Sequence, residues 1–171
     1  AVGFIFCDSI CMTGDLLMAS MLRHRAAGHL AVFAKALGHV KEAKAYAALV
    51  EKIARSILPV FGGDARCCGW LKASTGISGQ PDVWGSIYAI YCGVVTGEAK
   101  ARLLRTIVRA LEQDGEIEFE GALRHVPVSL SASETSAWER TATPGNRYQN
   151  GAYKVEIPLP AGSLSGAVVE V

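Results

Sequence analysis

The chain has 171 residues, half of them apolar, and its 17 Lys and Arg nearly balance its 16 Asp and Glu for a formal charge of +1. That length suits one domain with a real core, and the composition is that of a folded chain, not a disordered one. The scattered, balanced charge gives no electrostatic reason to expect nucleic acid or an anionic membrane as partner, and no apolar run reaches the roughly 20 residues needed to span a bilayer.

The opening Ala1-Val2-Gly3-Phe4-Ile5-Phe6 is apolar but lacks the basic start of a signal peptide. It reads less as a natural N-terminus than as the start of a fragment, the C-terminal portion of a longer protein. The first strong helical pattern spans 13–37. Thr13 is its expected N-cap, Asp15 sits in the first turn, and Gly38 is placed for a left-handed C-terminal residue. Small and apolar residues occupy most of its circumference, which predicts burial on more than one side. A second helix is predicted over 41–57, closed by Pro59 and Gly62-Gly63. The two make an αα-hairpin.

A long loop, 62–81, follows and carries Trp70. Loops of that length inside a domain tend to be functional. Pro81 suits the first position of a helix over 82–95, and Gly97 separates it from another over 98–113, giving a second expected hairpin. After Asp114-Gly115 the pattern alternates with period two over 116–120, turns at Gly121, and is strand-like again over 123–130. Residues 131–150 read as loop and 153–171 as one or two short strands.

The five cysteines (Cys7, Cys11, Cys67, Cys68, Cys92) form no Cys-x-x-Cys pair matched to histidines. They read as buried or free thiols of a reducing compartment, which points to the cytoplasm. The four histidines have no metal-ligand spacing, and no nucleophile elbow or phosphate loop is present. Arg124-His125 could contact a substrate, but a surface strand pair is the commoner explanation.

Two acids stand in loop-like settings with aromatic neighbours. Asp8 follows Phe6-Cys7, and Glu139 lies within Ser136-Ala137-Trp138-Glu139-Arg140. Two carboxyl groups, one protonated and one ionised, are what glycoside hydrolysis requires. The plainer reading is that Asp8 caps the first helix and Glu139 is a solvated loop acid. Trp70, Trp84, Trp138, Tyr148 and Tyr153 offer aromatic faces for sugar C–H bonds, and Gln80, Asp82, Gln149 and Asn150 offer polar partners for hydroxyls. Trp84 and Tyr88 read equally as core of their own helix.

The order of these phrases resembles the six-hairpin glycoside hydrolases, such as trehalases, processing α-glucosidases and amylo-α-1,6-glucosidase-type proteins. Phe6-Cys7-Asp8-Ser9 followed by Thr13-Gly14-Asp15-Leu16-Leu17 resembles that family's Trp-Asp-x-Ser passage. Gln80-Pro81-Asp82-Val83-Trp84-Gly85 resembles a later helix start, and Trp138-Glu139 with Tyr148-Gln149-Asn150-Gly151 resembles the closing loop. The resemblance covers 3–153. It departs where the family's Trp, Gly and Trp are Cys7, Ala152 and Lys154, and the tail 154–171 diverges.

The resemblance implies a mainly α fold, 1–171 as a single domain of helical hairpins forming part of an (α/α)6 toroid, with a short β element near the C-terminus. It implies hydrolysis of an α-linked glucoside or oligosaccharide by inversion, with Asp8 as general acid and Glu139 as general base. Trp84, Trp138, Tyr148 and Gln149 would line the sugar subsite beside Trp70, Gln80, Asp82 and Asn150. This chemistry needs no metal ion and no cofactor. A complete barrel needs twelve helices, more than this length holds, so exposed barrel faces and self-association are expected. The rival readings are a non-catalytic carbohydrate-binding remnant, a helical interaction module and a zinc enzyme built on Cys67 or Cys68.

Overall fold

In the computed structural model the described residues are 13–76, 79–113, 115–119 and 121–131. They are mainly helical. Helix α1 (Leu17–Ala36) and helix α2 (Val40–Phe61) form the expected hairpin, packed along their length. Its hinge is Gly38, whose φ of 78° is open to glycine at little cost. Ala27, Gly28 and Ala34 keep the α1 surface low, so that Val50 of α2 approaches Gly28 closely.

The helix starts later than Thr13. Leu16 is the N-cap of α1, in extended conformation and without a side-chain cap, and Asp15 precedes the first turn. Leu16 pairs with Ser74 in an antiparallel bridge, and Leu17 donates its N–H to Ala73 O at 2.9 Å. A strand-like pairing thus supplies what a capping side chain would have supplied. Helix α2 runs through Pro59 and ends at Gly62, whose N–H bonds Leu58 O at 3.0 Å. Proline in a last turn costs one backbone bond and is tolerated where the helix is held by Ile57 and Phe61, both buried.

The described residues within 62–82 are not an open loop. A 3₁₀ turn, Ala65–Cys67, is capped by Asp64, and the chain then doubles back on itself through a bridge between Lys72 and Pro81. Helix α3 (Val83–Tyr91) begins after Asp82, its N-cap, so Pro81 lies outside the helix and not at its first position. Helix α4 (Gly97–Leu111) does not lie along α3 as α2 lies along α1, so the expected second hairpin is not formed. Helix α4 packs instead over the turn at Gly69, where a β-carbon would press on the Thr106 side chain at 2.6 Å.

The β-hairpin is shorter than the alternation predicts. Strand β1 (Glu118–Phe119) pairs with β2 (Ala122–Leu123) around Gly121. Beyond it the expected strand gives way to a turn of helix, α5 (Val128–Ser131), whose Ser129 N–H and Val128 N–H are taken by Glu116 through its carboxylate and backbone oxygen.

One core joins these pieces: Leu17 and Met21 of α1, Ile57 and Phe61 of α2, Cys67, Trp70 and Leu71 of the folded-back segment, Val83 and Ala89 of α3, Leu103 of α4 and Ile117. The broad burial expected of α1 is not found. Leu30, Val32, Phe33 and Leu37 face solvent, Phe33 at 60% and Leu37 at 75% exposure, and on α4 Val108 and Leu111 do the same. Among the described residues no helix is long and apolar enough to cross a membrane.

Candidate functional site at the N-terminal ends of two helices

Three extended pieces meet at one end of the molecule. Thr75 N–H donates to Asp15 O at 3.0 Å, Ala73 N–H to Gln80 O at 2.7 Å and Asp82 N–H to Leu71 O at 2.8 Å. Gly14 and Gly76 allow this crossing, since a β-carbon on either would collide with the hydroxyl of Thr75 or Thr13. The result draws the N-terminal ends of α1 and α3 into one cluster. Gln80, Asp82 and Trp84 all lie at the α3 end of it.

Asp82 caps α3 by accepting the Gly85 N–H through Oδ1 at 2.7 Å. Its carboxyl is pushed up to about 6, chiefly by burial and against the hydrogen bonds from the Gly85 and Trp84 N–H groups. Burial is enforced by Gly85. A β-carbon there would strike both the Asp82 carboxyl and the Leu17 side chain. Gln80 is only 9% exposed, and its Oε1 is buried without a hydrogen-bond partner.

Trp84 is half-buried, and its indole N–H donates to Leu123 O at 2.8 Å. Val83 N–H donates to His125 O at 2.9 Å, so the segment 122–126 is strapped across the start of α3. The His125 ring stands edge-on to the Trp84 ring with centroids 3.6 Å apart. Burial holds the His125 imidazole down near 4. His125 is therefore not a surface strand residue. Sequence reasoning ranked a substrate contact by His125 below a surface strand pair, because the bond that docks it is made by backbone atoms of segments some forty residues apart.

Trp70, expected to line the site, belongs to the core at 4% exposure. A folded-back segment buries its own aromatic residue, which an unfolded loop could not do. Gln80, Asp82 and Trp84 lie together at the start of α3. The expected catalytic acids Asp8 and Glu139 lie outside the described residues, as do Trp138, Tyr148, Gln149 and Asn150.

No protein-family model matches this chain, and no curated protein matches it significantly. The chemistry of the cluster must therefore be read from its own groups.

Those groups suit an uncharged ligand. One carboxyl keeps its proton up to about 6, one imidazole is neutral above about 4, and between them lie an amide and an indole face. The vicinal cysteines do not extend the site. The Cys67 thiol is buried against Gly79 O, its pKa pushed up to about 11 by burial, while Cys68 is exposed in a left-handed conformation. Among the described residues no group of three His, Cys, Asp or Glu is placed to hold a metal ion.

Proposed function

We propose that this chain is part of a six-hairpin glycoside hydrolase acting on an α-linked glucoside or oligosaccharide. Asp8 serves as general acid, and Glu139 is the general base that activates water on the opposite face of the sugar. Gln80, Asp82 and Trp84, with Trp138, Tyr148, Gln149 and Asn150, form the sugar subsite. The partial (α/α)6 toroid belongs to the same proposal.

The observation that carries this reading is the convergence of two helix N-termini on one cluster of hydrogen-bonding groups, an amide and a carboxyl, beside a tryptophan ring. Stacked helical hairpins gather their loops at one end, and a site assembled there can serve a polyhydroxylated ligand. An inverting mechanism requires the carboxyls of Asp8 and Glu139 to stand roughly 6.5–9.5 Å apart with water between them.

The test is turnover of α-linked gluco-oligosaccharides by the full chain, with the anomer of the product read by NMR. Inverted product, abolished by Asp8→Asn and by Glu139→Gln, supports the assignment. Saturable sugar binding without turnover, indifferent to Glu139→Gln, makes the chain a carbohydrate-binding remnant. The exposed apolar faces of α1 and α4 favour a second reading, a helical interaction module, which predicts no sugar binding at all.

A further inference from the structure

The start of α3 has no donor to spare for a ligand. Val83 N–H goes to His125 O, Gly85 N–H to Asp82 Oδ1 and Ser86 N–H to Asp82 O. An anion has nothing to bind there. What remains is acceptor capacity. Gln80 Oε1 is buried with no donor, and the Asp82 carboxyl has lone pairs beyond those that the Gly85 and Trp84 N–H groups use. An orphaned buried acceptor is uncommon and calls for a donor.

Gln80 and Asp82 are two apart on an extended stretch paired antiparallel with 71–73. Alternate side chains of such a stretch leave on one side. Ala73 stands opposite Gln80 and Leu71 opposite Asp82, which puts these four on one face. The two acceptors are thus neighbours, and Trp84 follows in the first turn of α3.

We propose that Gln80 and Asp82 act together as a paired acceptor for two adjacent hydroxyl groups of one neutral sugar, and that the pair engages this ligand only when Asp82 is ionised. The proposal rests on the glycosidase reading and adds to it the ligand atoms recognised and a dependence on pH. A carboxylate accepts a hydroxyl proton more strongly than a carboxylic acid does.

The groups around Asp82 leave it as the titrating member. Leu17 of α1 is apolar. Lys72, on the opposed stretch, acts on Asp64 and Cys67. Arg124 of the strap gives its Nε–H to Gly115 O, and His125 stays neutral down to about 4. No charged group contributes to the raised pKa of Asp82.

The test is ¹⁵N-resolved NMR of the full chain titrated with maltotriose, with myo-inositol and with methylammonium, at pH 5 and pH 7. The Gly85 N–H, bonded to Asp82 Oδ1, reports the ionisation of that carboxyl, and the Gln80 side-chain amide reports contact. Maltotriose should move both signals and bind about tenfold more tightly at pH 7 than at pH 5, following the ionised fraction of a group titrating near 6. Gln80→Met keeps the shape, removes the acceptor and should weaken binding roughly tenfold at pH 7. Sugar binding that leaves both signals still, that is equal at the two pH values, or that survives Gln80→Met overturns the proposal. So does a response to methylammonium alone, which would mark a cation site, or no response to any of the three. Hydrolysis of maltotriose without these shifts sinks this proposal and spares the glycosidase reading. Shifts from myo-inositol and maltotriose without hydrolysis do the reverse.

Discussion

Asp82 and His125 sit at the same helix start with pKa values displaced in opposite directions, and their effects on stability oppose each other. The Asp82 carboxyl is raised above its ordinary value, so its contribution is full below about 4 and is lost as pH rises through 6. The His125 imidazole is lowered, so the fold gains stability as pH rises from about 4 to 6.5. Between pH 4 and 6 the two slopes work against each other. Asp82→Asn keeps the cap and removes only the carboxyl, so its unfolding free energy, measured in urea, should rise steadily from pH 4 to 6. His125→Gln should show the opposite slope. Gln80→Met, which deletes an unsatisfied buried acceptor, should raise stability by about 1 kcal/mol in the absence of ligand. Gly85→Ala should lower it by about 2 kcal/mol or more, because the new methyl collides with the Asp82 carboxyl and Leu17 in a space already filled.

At the scale of elements, the informative contacts are those that hold segments to helices rather than helices to each other. The strap at 122–126 is held by Trp84 Nε1 to Leu123 O and by Val83 N–H to His125 O. Trp84→Phe retains the ring but loses the first of these bonds. It should cost about 1 kcal/mol and speed amide exchange at Arg124, whose N–H bonds Ile117 O across the hairpin. On the other side of the molecule, Arg25 of α1 lies over the rings of Tyr88 and Tyr91 of α3, 6.0 and 5.3 Å from their centroids. This cation–π contact joins two helices whose polypeptide connection is long. The helix ends illustrate how local signals and tertiary pairing compete. Gly38, Gly62 and Asp82 act where their chemistry suggests. Thr13 does not, because the bridge from Leu16 to Ser74 takes the chain away in extended form before the helix can start.

For the molecule as a whole, the exposed apolar side chains are the main feature needing a consequence. Val32 and Phe33 on α1, Leu37 just past its end, Val40 on α2, and Val108 and Leu111 on α4 stand in solvent in the described residues. Apolar surface of this kind drives association. Sedimentation velocity should show species larger than one chain increasing with concentration, and the double change Phe33→Ser with Leu37→Ser should reduce them. A chain that stays monomeric at high concentration would count against the partial toroid, because unfilled hairpin faces are part of that proposal.

Helical periodicity and glycine punctuation are local properties and can be read from residue order alone, whereas the cap at Asp82, one step beyond the expected start at Pro81, emerged only in the fold. The first hairpin, the positions of α3 and α4 and the turn at Gly121 follow from side-chain spacing within a few residues. The closeness of Gln80, Asp82 and Trp84 was legible for the same reason, since all three fall within one five-residue phrase. Only the tertiary structure decided what those residues meet. Trp70 is core because the segment around it folds back onto Phe61 and Leu71, and His125 joins the site because its backbone is tied to Val83. The path of α4 across the Gly69 turn, in place of a second hairpin, belongs to the same class. These outcomes depend on hydrogen bonds and packing between residues far apart in the chain, which no local pattern encodes.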